Sequence, residues 1–319
     1  MRRAAPVILA LLSTACDEAA RTRTQWHDSM LRIAKIDLQA VGATQWTAMH
    51  LALVLDLDSH VQVSGKGIPL GECLRAPLLG AQAPLLTRDG ASWSTRRGYY
   101  YFEYEDHHSQ FWAYRALRMA SIGAIMDSEL SDMNTAFMEG LDEIGSAEPS
   151  WLLMLGSLLY QGCEAGGLDG RHVEKCQFLI DSLMHSSAIG ACGEMHECVA
   201  LALAVKYGVC SSLQAEEVQQ RLDLQRRHIN DAILQDGYME LPGLHDSFHP
   251  VSRQDKLRVL GHVVEFLGLA GPPYNKKEWG IIHSFLRLTR EALESNQLGA
   301  LELGFICHGL HGVAWQCGD

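Results

Sequence analysis

The chain has 319 residues, 47% of them hydrophobic and 20% charged, with a formal net charge of −12. That length buries a sizeable core as one large domain or two small ones. The acidic balance argues against a nucleic-acid partner, whose phosphates need a basic stripe, and no run of five like charges occurs to form a charged tail.

Met1-Arg2-Arg3 followed by Val7-Ile8-Leu9-Ala10-Leu11-Leu12 forms a positive start and a short apolar run. The run is too short to cross a bilayer as a helix. It ends in Leu12-Ser13-Thr14-Ala15-Cys16, which resembles the lipobox of bacterial lipoproteins, although Ser13 stands where leucine is usual. The resemblance implies export, processing at or near Cys16 and a lipid on that cysteine. Asp17 behind it implies retention at the inner membrane of a Gram-negative cell. Residues 1–16 are thus expected to be an export signal and residues 22–319 one domain, periplasmic or membrane-anchored.

Residues 22–57 predict two helices broken at Val41-Gly42-Ala43-Thr44, the second keeping a 3.6 spacing through Trp46, His50 and Leu53. Residues 58–106, rich in glycine, proline and aromatics, predict an irregular excursion that caps one end of the helices. It should contain a hairpin turning at Arg96-Arg97-Gly98. Beyond His107 the pattern is helical throughout, over 107–126, 130–144, 150–163, 171–186, 192–209, 213–234, 252–269, 277–294 and 298–315. Asp127-Ser128 and Ser211-Ser212 are caps, Pro149 opens a first turn, and Gly271-Pro272-Pro273 ends a helix. From residue 130 on, polar-faced helices alternate with helices apolar nearly all round, which must be buried.

A histidine heads the apolar runs. It recurs as His108, His196, His262 and His308, with a fainter fifth copy at His50. Buried helices that start with histidine place their imidazoles where the interior meets solvent, so these side chains are expected to share one cavity. The fold class predicted is all-α, an α/α toroid of alternating inner and outer helices. A right-handed solenoid would need shorter, more regular repeats.

The densest constellation is Phe305-Ile306-Cys307-His308-Gly309-Leu310-His311-Gly312. It resembles the lanthionine cyclases, α/α toroids whose zinc is held by two cysteines and a histidine, the last two from an adjacent Cys-His-Gly. The resemblance implies that Cys307 and His308 ligate zinc with His311 beside it. The family's separate Trp-Cys-Tyr-Gly segment has no counterpart, which leaves its other cysteine ligand unplaced. Protein prenyltransferase β-subunits and the terpene cyclases share the toroid, but the cyclases' Asp-rich motif is absent. Cys192 and His196 lie four apart on one helical face, and with Cys307 and His308 they would complete a Cys2His2 zinc site.

Other readings compete at the same residues. His262 and Glu265, three apart, form a candidate acid–base pair, and His107, His108 and Gln110 follow the acidic Glu103, Glu105 and Asp106. The loop His245-Asp246-Ser247-Phe248-His249 and the turn Asp236-Gly237-Tyr238 are candidates to reach over the same mouth. Apart from Cys16, eight cysteines remain, and an oxidising compartment permits up to four disulfides, with Cys163–Cys176 and Cys307–Cys317 as local candidates. No phosphate loop, nucleophile elbow or His-Glu-x-x-His occurs. Two functions follow. One is an exported enzyme, a lyase, cyclase or hydrolase, zinc-assisted or not, acting on a small or oligomeric substrate through His108, His196, His262, Glu265, His308 and His311. The other is a non-catalytic, disulfide-stabilised toroid that binds a ligand or partner.

Overall fold

The computed structural model describes residues 4–56, 58–75, 86–89, 92–95, 149–162, 170–185, 195–232 and 252–317. The architecture is all-α, with two small hairpins. The helices are α1 (Ala4–Ile33), α2 (Gln45–Leu51), α3 (Leu70–Arg75), α4 (Pro149–Gly162), α5 (Gly170–His185), α6 (Met195–Lys206), α7 (Ser212–Ala232), α8 (Arg253–Ala270), α9 (Lys276–Leu293) and α10 (Ala300–Cys317). Strands β1 (His60–Val63) and β2 (Lys66–Pro69) pair antiparallel, as do β3 (Leu86–Asp89) and β4 (Ser92–Thr95). The helices of residues 107–144, with His107, His108 and Gln110, and the turn at 96–98 lie outside the described residues.

Burial separates two kinds of helix. In α6 every residue from Met195 to Ala204 is buried, and α8 is buried throughout Val259–Leu269. By contrast α7 buries only Val218, Leu222 and Ile229, and α9 buries one stripe through Ile281, Phe285, Leu288 and Ala292. The neighbours follow the same division. An inner row runs α4, α6, α8, α10, α2, each packed on the next. Outside it, α5 lies against α4 and α6, α7 against α5 and α6, α9 against α8 and α10, and α1 against α9 and α10. A helix with no polar face needs apolar neighbours on every side, and the outer helices supply them with one stripe each.

Two expectations near the N-terminus are corrected. The break after the first helix spans residues 34–44 and the second helix stops at Leu51 instead of running on to 57. The break is organised by Asp37, whose carboxylate accepts the backbone N–H groups of Gln39, Ser64 and Gly65 at 2.7–3.0 Å. It ties the break to the tip of the first hairpin, where Ser64 and Gly65 take positive φ of 51° and 72°. The excursion's described hairpins are the pairings 60–69 and 86–95, both earlier than the expected turn.

Glycine sets the closest contact in the inner row. A Cβ on Gly261 would overlap the Phe305 carbonyl, one on Gly268 the Gly312 carbonyl, and one on Gly312 the Val264 carbonyl. No side chain separates α8 from α10 along that line, so the two backbones touch. Residues between the glycines therefore meet across a very short gap, and Glu265, His308 and His311 are among them.

Candidate functional site

Four of the described inner-row histidines gather at this seam. The ring centroids of His262 and His308 are 4.4 Å apart and nearly parallel, at 28°. His50 approaches His308 at 4.8 Å, and His196 lies 5.0 Å from His262 and 6.3 Å from His308. All four are buried, His196 being the most exposed at 8%. Trp46 stacks on His50 at 3.9 Å and Phe305 stands 6.0 Å from His262. The group is buried, aromatic and supplied by α2, α6, α8 and α10.

The ring protons are placed by what each Nδ1 faces. A carbonyl oxygen only accepts, so in His50 the Nδ1–H donates to Trp46 O at 2.7 Å, and in His262 the Nδ1–H donates to Arg258 O at 2.7 Å. Both partners are four residues back on the same helix. His308 and His311 instead share one carboxylate: Nδ1 of His308 lies 2.7 Å from Glu265 Oε2 and Nδ1 of His311 lies 2.7 Å from Glu265 Oε1. His311 also accepts the indole N–H of Trp315 on Nε2 at 2.8 Å, which fixes its tautomer, and Lys206 Nζ covers that indole at 3.7 Å. In the neutral rings the electron pair of His50, His262 and His308 therefore sits on Nε2. Burial, only partly offset by the Arg258 carbonyl and the Glu265 charge, holds His262 below the usual histidine range and so favours its neutral form.

The structure thus brings together His196, His262, His308, His311 and Glu265 from among the residues singled out in sequence, and adds His50. Glu265 does not pair with His262 on its own helix. That imidazole is turned to Arg258, and the carboxylate crosses the glycine seam to α10. His50 was legible as the fifth, faintest histidine-headed run. Trp315 carried no signal, since its role exists only through its contact with His311. His108, Cys192, the turn at 236–238 and the loop at 245–249 lie outside the described residues.

The cysteines read differently from the disulfide expectation. Cys73, Cys176, Cys198, Cys210 and Cys307 are thiols, and no disulfide occurs among the described residues. Cys307 and Cys317 belong to one continuous helix. Ten residues of helix separate them by about 15 Å, roughly twice what a disulfide spans. Burial pushes the Cys73 and Cys210 thiols up to about 11 and Cys176 to about 12, and it drives Cys307 well above the ordinary thiol range.

For zinc held by cysteine and histidine, the fit is poor on the thiolate side. Cys307 is fully buried in a setting that resists ionisation, and the ring contacts of His308 are to imidazoles. Among the described residues no group of three or more histidine, cysteine, aspartate or glutamate side chains is placed to hold a metal ion. Comparison with known protein families, with curated proteins and with solved structures finds no match to this chain.

Proposed function

We propose that the chain is an α/α-toroid enzyme, a hydrolase, lyase or cyclase, that activates an O–H, S–H or C–H group of a small or oligomeric substrate at the Nε2 face of the imidazole cluster. The observation that carries this is the pair of 2.7 Å bonds from one buried carboxylate, Glu265, to the Nδ1 atoms of His308 and His311. An imidazole held by a carboxylate at Nδ1 has its electron pair aimed from Nε2. As it takes a proton there, the carboxylate stabilises the imidazolium. Glu265 and His311 are then positioning residues, and His308 is the base.

The alternation of fully buried and one-striped helices supports a ring of the kind that lanthionine cyclases, prenyltransferase β-subunits and terpene cyclases share. Export with processing near Cys16 rests on the positive start, the short apolar run and the small residues before that cysteine. Further along, α1 packs through Glu18 on His283 at 3.1 Å, the buried Thr22, and the Trp26 indole donating to Leu310 O at 3.1 Å. No described helix is long and apolar enough to cross a membrane.

The test is turnover by the full chain on a panel of activated esters, glycosides, polyuronides and thiol-plus-dehydroamino-acid peptides, with melting temperature followed in parallel. His308→Ala should lower the rate about a hundredfold to ten-thousandfold. Glu265→Gln should shift the pH profile while leaving substrate affinity in place. Turnover that survives both substitutions would overturn the reading, as would a native protein that binds a panel member and never converts it.

A further inference from the structure

We propose that Trp315 and Lys206 are positioning residues that decide which of the two imidazoles on Glu265 takes up a proton. They hold His311 neutral, so that His308 is the ring that becomes an imidazolium. The inference deepens the reading above and rests on it for its catalytic meaning, while the order in which the two rings titrate is a property of the fold itself.

One carboxylate serving two imidazoles raises a question that a single pair does not. Nδ1 of His308 and Nδ1 of His311 each lie 2.7 Å from one oxygen of Glu265. Either ring could become charged against that carboxylate, and two coupled rings of equal standing would divide its stabilisation between them. A proton lodged on His311 would then oppose a second one on His308.

The fold makes the two rings unequal. In His311 the Nε2 atom accepts the indole N–H of Trp315 at 2.8 Å. An indole nitrogen only donates, so a proton arriving at this Nε2 must break the bond and set two N–H groups against each other. His311 is 2% exposed, which leaves little room for water to replace the lost partner. Residues 311 and 315 are one turn apart on α10, so the helix itself holds the indole over the ring.

Lys206 adds a charge of the sign that opposes protonation. Its Nζ, from the last residue of α6, lies 3.7 Å from the centre of the Trp315 ring. An ammonium is attracted to the face of an indole. It draws electron density from the ring, strengthens the N–H as a donor and disfavours a second cation at the far end of that hydrogen bond. Burial lowers the Lys206 amine from the usual lysine range, so this restraint fades toward alkaline pH. The other titratable groups of the neighbouring helices are engaged elsewhere. His50, His196 and His262 gather about His308, and Glu18 of α1 pairs with His283 of α9 at 3.1 Å.

The experiment is a pH titration of the histidine-15N-labelled full chain, followed ring by ring in long-range 1H–15N correlation spectra. In the native chain His308 should gain its second proton at higher pH than His311. Trp315→Phe removes the N–H and keeps an aromatic ring. It should raise the pH at which His311 is protonated by about one unit, a tenfold gain in proton affinity, and lower that of His308. Lys206→Met should move both in the same directions by less. A Trp315 that merely packs would change the melting temperature and leave the titration order where it was. His311 titrating first in the native chain, or an unmoved His311 in folded Trp315→Phe, would overturn the proposal. Should Trp315→Phe fail to fold, the native order and Lys206→Met, a change at an exposed position, decide, and an unmoved His311 there overturns it. The titration is read without turnover, so the two readings fail separately. A chain that titrates in this order and converts nothing would remove the enzyme and keep the selection of His308, while an active chain in which His311 titrates first would do the reverse.

Discussion

Two buried carboxylates of nearly equal exposure, Glu278 at 1% and Glu265 at 2%, are held in opposite ways. Glu278 starts α9 and faces a permanent cation. Arg226 of α7 donates to both its oxygens at 2.8 and 2.9 Å and also ties down the carbonyls of Gly271 and Pro273. Asn230 reaches the same carboxylate, and the backbone N–H of Asn275 closes a capping box on it. Among the described residues, Glu265 is held by the imidazoles of His308 and His311. A guanidinium never gives up its charge, so the outer carboxylate is locked into a structural joint. The inner one is held by imidazoles, whose charge is not permanent. A fold spends a fixed partner where it needs stiffness and a titratable one where it needs chemistry.

The largest effect should come from unlocking the outer joint. Arg226→Met leaves Glu278 buried without its cation, and breaking a buried pair by removing one partner costs about 3–5 kcal/mol. A urea-unfolding midpoint that barely moves would mean the two carboxylates are not differently held after all.

A smaller effect is expected at the seam. Gly312→Ala forces a methyl into the Val264 carbonyl, and such overpacking costs about 1–3 kcal/mol. It should also push Glu265 away from α10. Gly280→Ala on α9, where nothing lies within 4 Å, is the control and should be neutral or stabilising by up to about 1 kcal/mol. Equal responses in the same unfolding assay would remove the seam as the origin of the site.

The smallest effect is a slope. His262 is held below its ordinary value of 6.5 chiefly by burial, so the unfolded chain binds its proton more readily than the folded one. The stability contributed by the neutral ring is complete above about pH 6.5 and is lost as pH falls below it, at no more than about 1.4 kcal/mol per pH unit for one proton. His262→Gln should flatten that part of the stability–pH curve, and an unchanged curve would place the titrating group elsewhere.

Much of the helical layout was legible because it follows from period and punctuation. Pro149, the capping box of Ser252 and Asp255, and the Asn275 cap fall at helix starts, and the all-apolar runs at 195–204 and 259–269 are the buried ones. The site was legible only in its parts. A histidine at the head of an apolar helix reads from sequence, but which helices adjoin is set by the glycine contacts between α8 and α10. No spacing rule joins Glu265 to residues 43 and 46 positions away. The nearer partner, His262, was the natural choice along one helix, and it lost because its own turn offers the Arg258 carbonyl. The early loops were misjudged for a similar reason. Asp37 draws the 34–44 break onto Ser64 and Gly65, a contact between segments that local pattern does not join.

The central claim is that fixed partners at Nδ1 leave the electron pair of His50, His262 and His308 on Nε2 inside a shared cluster. The direct test is a long-range 1H–15N correlation spectrum of the histidine-labelled full chain near pH 7.5, with each ring assigned by single substitution. The account predicts that these three rings carry their proton on Nδ1 and show an unprotonated Nε2, and that Glu265→Gln disturbs His308 and His311 while sparing His50. Rings protonated at Nε2, or exchanging between the two tautomers as in solvent, would contradict it.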